Sequence, residues 1–208
     1  MQVKRTSLEK VIKGNRRLKS ILQFAITSRN PKPRWWVRKF ILPLHIRKGK
    51  GALIRRRSRL DIFPWNPFVI GSYSTIEDFC VINNGAGHVI IGDNVRVGIG
   101  SVVVGPVKIE EGVALGQNVN VSGFNHGYSD ISKNSRSQEL SIKETVIGKD
   151  ALIGSNSAIV AGVVIGEKCQ IGAGSVVTKN IPPFSVAVGN PAKVIKRYDE
   201  NLRKWVRV

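Results

Sequence analysis

The sequence predicts a mainly β protein, a solenoid of short strands joined by regular corners. Aliphatic residues recur at every sixth position: Ile91, Val97, Val103, Ile109, Leu115 and Val121, then Ile147, Ile153, Ile159, Ile165, Ile171 and Val177. The next residue is often glycine, as at Gly92, Gly98, Gly116, Gly148, Gly154, Gly166 and Gly172. The 208 residues include 21 glycines and one methionine, a balance that favours a turn-rich body. A helix would repeat at about 3.6 residues and a simple amphipathic strand at two, so a sustained period of six means repeated corners.

The N-terminal quarter differs from the rest. Residues 1–60 hold 19 Lys/Arg against one acid, Glu9, whereas residues 61–208 hold 14 Lys/Arg against 13 Asp/Glu. The net charge of +19 therefore belongs to a basic region 1–60, followed by a domain over 61–208. Thr6 and Glu9 read as a capping box that opens a helix. Leu8, Val11, Leu18, Leu22 and Ala25 recur at helical spacing, with Lys10, Lys13, Arg16, Arg17 and Lys19 elsewhere on the surface. Asn30-Pro31-Lys32-Pro33 ends that helix. Trp35, Trp36 and Phe40 then stand among Arg38 and Lys39, the composition of a membrane-surface or partner-binding element. Two compatible readings stay open: a helical cap over the open end of the solenoid, and peripheral membrane contact through residues 1–60. No RNA or DNA motif accompanies the charge, so a nucleic-acid partner is not expected.

An earlier set of aliphatics, Ile70, Ile76 and Ile82, extends the repeat. Each aliphatic is expected to point inward and stack on its copy in the next coil, about 4.8 Å away. The residue four further on, such as Ser74, Cys80, Ser101, Ser157, Cys169 or Ser175, fits the tighter inward position. Both cysteines are thereby assigned to core packing, not to catalysis or a disulfide. His45, His88 and His126 include no close pair, so no metal site is expected. His88 reads as structural. Two interruptions break the phase: Ile82 to Ile91 holds three extra residues, and Val121 to Ile147 spans four hexads plus two. The second is polar and reads as an inserted loop, 122–146, and insertions in a solenoid collect on one face and often carry function.

No apolar run reaches the roughly 18 residues of a membrane span. Met1 to Ser28 is charged throughout, so no secretory signal is expected. The expected location is cytoplasmic, peripheral on the inner membrane face under the membrane reading.

The pattern resembles the hexapeptide-repeat acyltransferase family over residues 70–197. Within it, Ile171-Gly-Ala-Gly-Ser-Val-Val-Thr-Lys-Asn-Ile-Pro-Pro and Gly189-Asn-Pro-Ala-Lys-Val-Ile-Lys are similar to the end of the galactoside and maltose O-acetyltransferases. The resemblance implies a left-handed parallel β-helix; with the basic, helical N-terminal extension read from the residues above, the expected fold also includes a short C-terminal helix. It also implies acetyl-CoA as co-substrate and a homotrimer with active sites between neighbouring subunits.

His126, in Gly123-Phe-Asn-His-Gly-Tyr-Ser-Asp at the start of the inserted loop, is the candidate general base. A free imidazole titrates near about 6.5 and can take a hydroxyl proton. In the related acetyltransferases the catalytic histidine leaves the coil at the corresponding loop. By the same resemblance Ser155, Ala173, Thr178 and Lys179 match coenzyme-contacting positions, and Lys193 and Lys196 match basic residues near the coenzyme phosphates. Asn84, Asn125, Tyr128 and Asp130 are candidates for the acceptor pocket. The expected activity is acetyl-CoA-dependent O-acetylation of a sugar hydroxyl in glycan or surface-polysaccharide synthesis. The alternatives are an N-acyltransferase on an amino sugar and a non-catalytic, membrane-associated β-helical scaffold.

Overall fold

The computed structural model describes residues 15, 21–22, 24–27 and 33–208. The capping box Thr6/Glu9 and most of the first amphipathic stretch lie outside the described residues; Leu22 and Ala25 are helical.

Three parallel sheets run the length of a left-handed β-helix, each coil giving one short strand to each sheet. The first sheet stacks Ile46–Lys48, Phe68–Ile70, Val89–Ile91, Val107–Ile109, Thr145–Ile147 and Val164–Ile165. The second stacks Leu53–Ile54, Thr75–Ile76, Arg96–Val97, Ala114–Leu115, Leu152–Ile153 and Gln170–Ile171. The third stacks Arg59–Asp61, Val81–Asn83, Val102–Val104, Asn120–Ser122, Ala158–Ile159 and Val176–Val177.

The period of six is the length of one strand plus one corner. In the first sheet Ile70 pairs with Ile91, Ile91 with Ile109, and Ile109 with Ile147, so like stacks on like through the core. All four are buried, and each contributes roughly 1.5–3 kcal/mol of transfer free energy. The small inward positions hold hydroxyls that would be costly if unpaired. Ser74 donates to the Gly92 carbonyl at 2.7 Å, and Ser101 and Ser157 donate to those of Gly116 and Gly172 at 3.1 Å. Cys80 and Cys169 occupy the same position, buried and unpaired, with burial pushing both thiols up.

The three corners differ. The first and second are tight turns with left-handed backbone at their third residue, for example Phe79, Gly100, Asn118, Asn156 and Gly174 along the second. At Gly100 φ is 75°, and a Cβ would meet the Asn118 side chain of the next coil, so glycine suits the turn there without being the one residue this corner accepts. The third corner varies in length, holding residues 62–67, 84–88, 105–106, 123–144 and 160–163 in successive coils. Both phase breaks read from the sequence fall at this corner.

Two expectations are corrected. The solenoid begins at Ile46, not after residue 60, because Ile46–Lys48, Leu53–Ile54 and Arg59–Asp61 pair in register with the next coil. Lys48 holds the column position that Ile70 fills one coil later, which hides the first coil from an aliphatic pattern. The C-terminal tail is not helical. Ser185–Gly189 turns back through Asn190 and Pro191 into Ala192–Asp199 and then Lys204–Arg207, extending the second sheet with antiparallel strands. Exposure along Ala192–Asp199 alternates with a period of two over most of its length, which suits a strand lying over a sheet end and not a helix.

Candidate active site

The inserted loop leaves the third corner after Ser122 and returns at Thr145. Its base is a two-residue antiparallel pairing, Phe124–Asn125 with Ser141–Ile142. Farther out it folds on itself. The Gln138 side-chain oxygen accepts from the Asp130 backbone N–H at 3.1 Å, and its amide donates to the Asp130 and Lys133 carbonyls. Asn134 caps a short 3-10 turn over Ser135–Ser137. The loop is thus an ordered arm, and its tip shows Ile131 at 100% exposure and Tyr128 at 84%.

His126 sits at the root of the arm, exposed, its ring edge-on to Phe124 at 5.6 Å between centroids. Among the described residues no hydrogen-bond partner engages its imidazole, which leaves both nitrogens free for a substrate. His88 is different. Its Nε2 lies 2.6 Å from a carboxylate oxygen of Glu144, the residue that brings the arm back to the coil. That pair ties the arm's return to the 84–88 stretch of the same corner, two coils back, in keeping with a structural reading of His88.

The acceptor candidates separate. Asn125 and Tyr128 are exposed beside His126. Asn84 is not available: it is fully buried, and its side chain is consumed by Phe63 and Asn66. Its oxygen accepts from the Phe63 N–H at 2.7 Å, and its amide donates to the carbonyls of Phe63 at 3.1 Å and Asn66 at 2.6 Å. Asp130 serves the arm itself. One carboxylate oxygen accepts from the Ser132 hydroxyl and N–H, and the other lies 2.8 Å from the Lys133 ammonium. Lys133, helped by Ser132, holds the Asp130 carboxyl below the usual carboxylate range.

The coenzyme candidates fall on two edges. Gly116, Gly154 and Gly172 stack along the second corner, where a Cβ on Gly154 would strike the Ala173 backbone. Ser155 and Ala173 lie on this column of small residues, and Ser155 bonds back to Gln117 of the preceding coil at 2.5 Å. Gln117 is a neighbour that the six-residue pattern does not mark, because it sits at a corner and not in a strand. At the top of the column the Gly172 site abuts Val188, whose cross-strand partner is Lys193. Lys196 pairs with Val186, and an irregularity between Val186 and Ala187 leaves Ile195 without a partner. Val186 and Val188 share a face, so this bulge turns two lysines three residues apart to the same outward side. Thr178 and Lys179 are exposed at the third corner instead, on the edge from which the arm springs. One prism side separates the two edges, so His126 and the Ser155/Ala173 column of a single chain do not face each other.

The family model described as the hexapeptide repeat of succinyl-transferase matches residues 88–123 and 144–179, the two blocks that flank the arm. Those two blocks of the chain are hexapeptide repeats of the kind that model describes. Among similar proteins, one of Staphylococcus aureus that carries an acetyltransferase name is 55% identical over 56 residues, 27% of this chain and 28% of its own. The dTDP-3-amino-3,6-dideoxy-α-D-galactopyranose 3-N-acetyltransferase of Aneurinibacillus thermoaerophilus is 54% identical over 54 residues, 26% of this chain and 28% of its own. The matched stretch thus spans little more than a quarter of these relatives. Among solved structures, the N-acyltransferase AntD of Bacillus cereus with dTDP and coenzyme A superposes with a TM-score of 0.67. That match covers 79% of this hexapeptide-repeat chain and 91% of AntD at 21% identity, a likeness of fold.

Proposed function

We propose that this hexapeptide-repeat protein is an acyl-CoA-dependent acyltransferase acting on a sugar. The observation that carries the reading is the column of small residues at the second corner, ending in Lys193 and Lys196 on one face. Such a column admits a narrow pantetheine arm close to backbone groups, and two ammonium groups at its end suit the coenzyme phosphates. The AntD structures, which carry coenzyme A or 3-hydroxybutyryl-CoA, add support for an acyl-CoA co-substrate.

His126 is assigned as the base. Its neutral imidazole takes the proton of the acceptor as the acceptor atom attacks the thioester carbonyl. Backbone N–H groups stabilise the oxyanion, and the thiolate of coenzyme A leaves and is protonated. Asn125 and Tyr128, on the same arm, line the acceptor side. The arm edge and the coenzyme column sit one prism side apart in a single chain, so the site is assigned to the junction of neighbouring subunits in a homotrimer. The bare Tyr128 and Ile131 at the arm's tip suit that packing.

A hydroxyl acceptor follows from the resemblance of the C-terminal stretch. A second reading, N-acylation of an amino sugar, is favoured by the names of the Aneurinibacillus enzyme and AntD. The same base serves both, because an amine arrives largely protonated. A thiol-release assay with acetyl-CoA against neutral sugars and nucleotide-linked amino sugars tests the proposal. Release above background with one acceptor class supports it and names the acceptor atom, and no release with either class removes it. In the same assay Lys196→Ala is expected to raise KM for acetyl-CoA while sparing kcat, the signature of lost uniform binding. A fall in kcat with KM unchanged would move Lys196 away from the phosphates.

A further inference from the structure

A cavity lies at the N-terminal end of the β-helix, far from the arm. It has about 560 Å³ and opens over the first coil, walled by Trp35, Leu42 and Pro43 of one segment and by Ile46, Ile54 and Leu60 of the coil. That segment is helical, π-type over Val37–Ile41 and α over Leu42–His45. The floor is the first coil of the β-helix, against which Val37 and Leu42 of the segment are buried. Ile54 and Leu60 are the first members of two inward columns, paired with Ile76 and Ile82. The third column begins with Lys48, paired with Ile70.

A lysine at that position is the break in the pattern that matters. An end sealed only by an apolar cap would continue the column with an aliphatic. Here the column position is held by Lys48, which is exposed, and Arg38, Lys39, Arg55 and Arg56 line the same cavity. None of the five forms a salt bridge among the described residues, and residues 1–60 contain only one acid. A cavity with an apolar floor and five uncompensated cations is complementary to an anionic amphiphile. The surrounding surface points to a bilayer and not to a soluble anion: Leu44 is 80% exposed, Trp35 71% and Phe40 57%, all on the same segment. Aromatic and aliphatic side chains interleaved with Lys/Arg suit the headgroup boundary of an anionic membrane. Among the described residues no helix is long and apolar enough to cross it, so the contact is peripheral.

We propose that the first coil and residues 35–48 form a lipid-docking site that seats the phosphate of an anionic phospholipid on Lys48, with the bilayer against this end of the β-helix. The solenoid axis then stands upright on the membrane. The root of the arm, three coils on, is held about 14 Å above the first coil. The lipid contact is independent of the chemistry at the arm.

Lys48→Met tests this cleanly, because it restores the apolar column and is expected to leave the melting temperature equal or higher. Full-length protein is sedimented with vesicles of phosphatidylcholine alone or mixed with phosphatidylglycerol, at low and high salt. Wild type is expected to bind the mixed vesicles, weakening as salt rises, and not the phosphatidylcholine vesicles. Lys48→Met is expected to lower that affinity roughly fivefold, the worth of one Lys at an anionic surface, and Arg38→Glu/Arg55→Glu/Arg56→Glu by at least roughly 10²-fold. Lys204→Glu/Arg207→Glu, a charge change in the C-terminal strands, is expected to bind like wild type. Equal binding by Lys48→Met and wild type, equal binding to both vesicle types, or complete displacement by duplex DNA would overturn the proposal, the last in favour of a nucleic-acid surface.

Discussion

His126→Ala is expected to lower kcat by about 10²–10⁴, the usual worth of a general base, with KM for acetyl-CoA nearly unchanged. The expectation follows from position. The imidazole is exposed at the root of an ordered arm, rests against Phe124 and has no hydrogen-bond partner among the described residues. Removing it therefore opens no buried cavity and strands no buried polar group, so the fold should melt as in the wild type. His88→Ala is the paired control. Its ring is held by Glu144, and its loss frees one tie of the arm without removing the base. Steady-state kinetics on an accepted sugar decides between them. Wild-type turnover by His126→Ala, with a large fall in His88→Ala, would transfer the role to the imidazole that Glu144 already orients.

Asn84→Ala should act on stability. Its side chain satisfies three backbone groups in a buried corner, the N–H and carbonyl of Phe63 and the carbonyl of Asn66. Alanine leaves the Phe63 N–H and the Asn66 carbonyl unpaired away from water, while the Phe63 carbonyl keeps the Asn66 N–H at 3.3 Å, a cost of about 2–4 kcal/mol. For a chain of this size that is a drop of about 5–15 °C in Tm. The residual folded protein should keep its KM for the acceptor under the proposed activity, because Asn84 does not reach the surface. Calorimetry showing an unchanged Tm together with a raised acceptor KM would return Asn84 to the substrate pocket.

The solenoid was legible because its inward positions are filled by one chemical class. Ile91 to Val121 and Ile147 to Val177 carry the repeat unaided, and the arm was visible as the place where the period fails. The first coil was not, because Lys48 occupies a column position and the next column member after Leu60 is ten residues on, at Ile70, which breaks the period of six. Among the acceptor candidates, spacing could not distinguish Asn84 from Asn125. The role of Asn84 depends on Phe63 and Asn66, brought beside it by the previous turn of the same corner. The C-terminal tail was misread as helical, although Ala192–Asp199 alternates and pairs with Ser185–Gly189. The bulge there also decides something spacing does not. In a regular strand Lys193 and Lys196 would point to opposite faces; the unpaired Ile195 brings them to one.

Titration of the purified full chain with acetyl-CoA by calorimetry tests the coenzyme column most directly. Saturable binding is expected, weakened by Lys196→Ala and blocked by Ala173→Arg, which fills the column beside Gly154, while His126→Ala binds like wild type. No saturable heat with the wild-type chain, or equal binding by Ala173→Arg and wild type, would contradict the assignment of this edge to acyl-CoA.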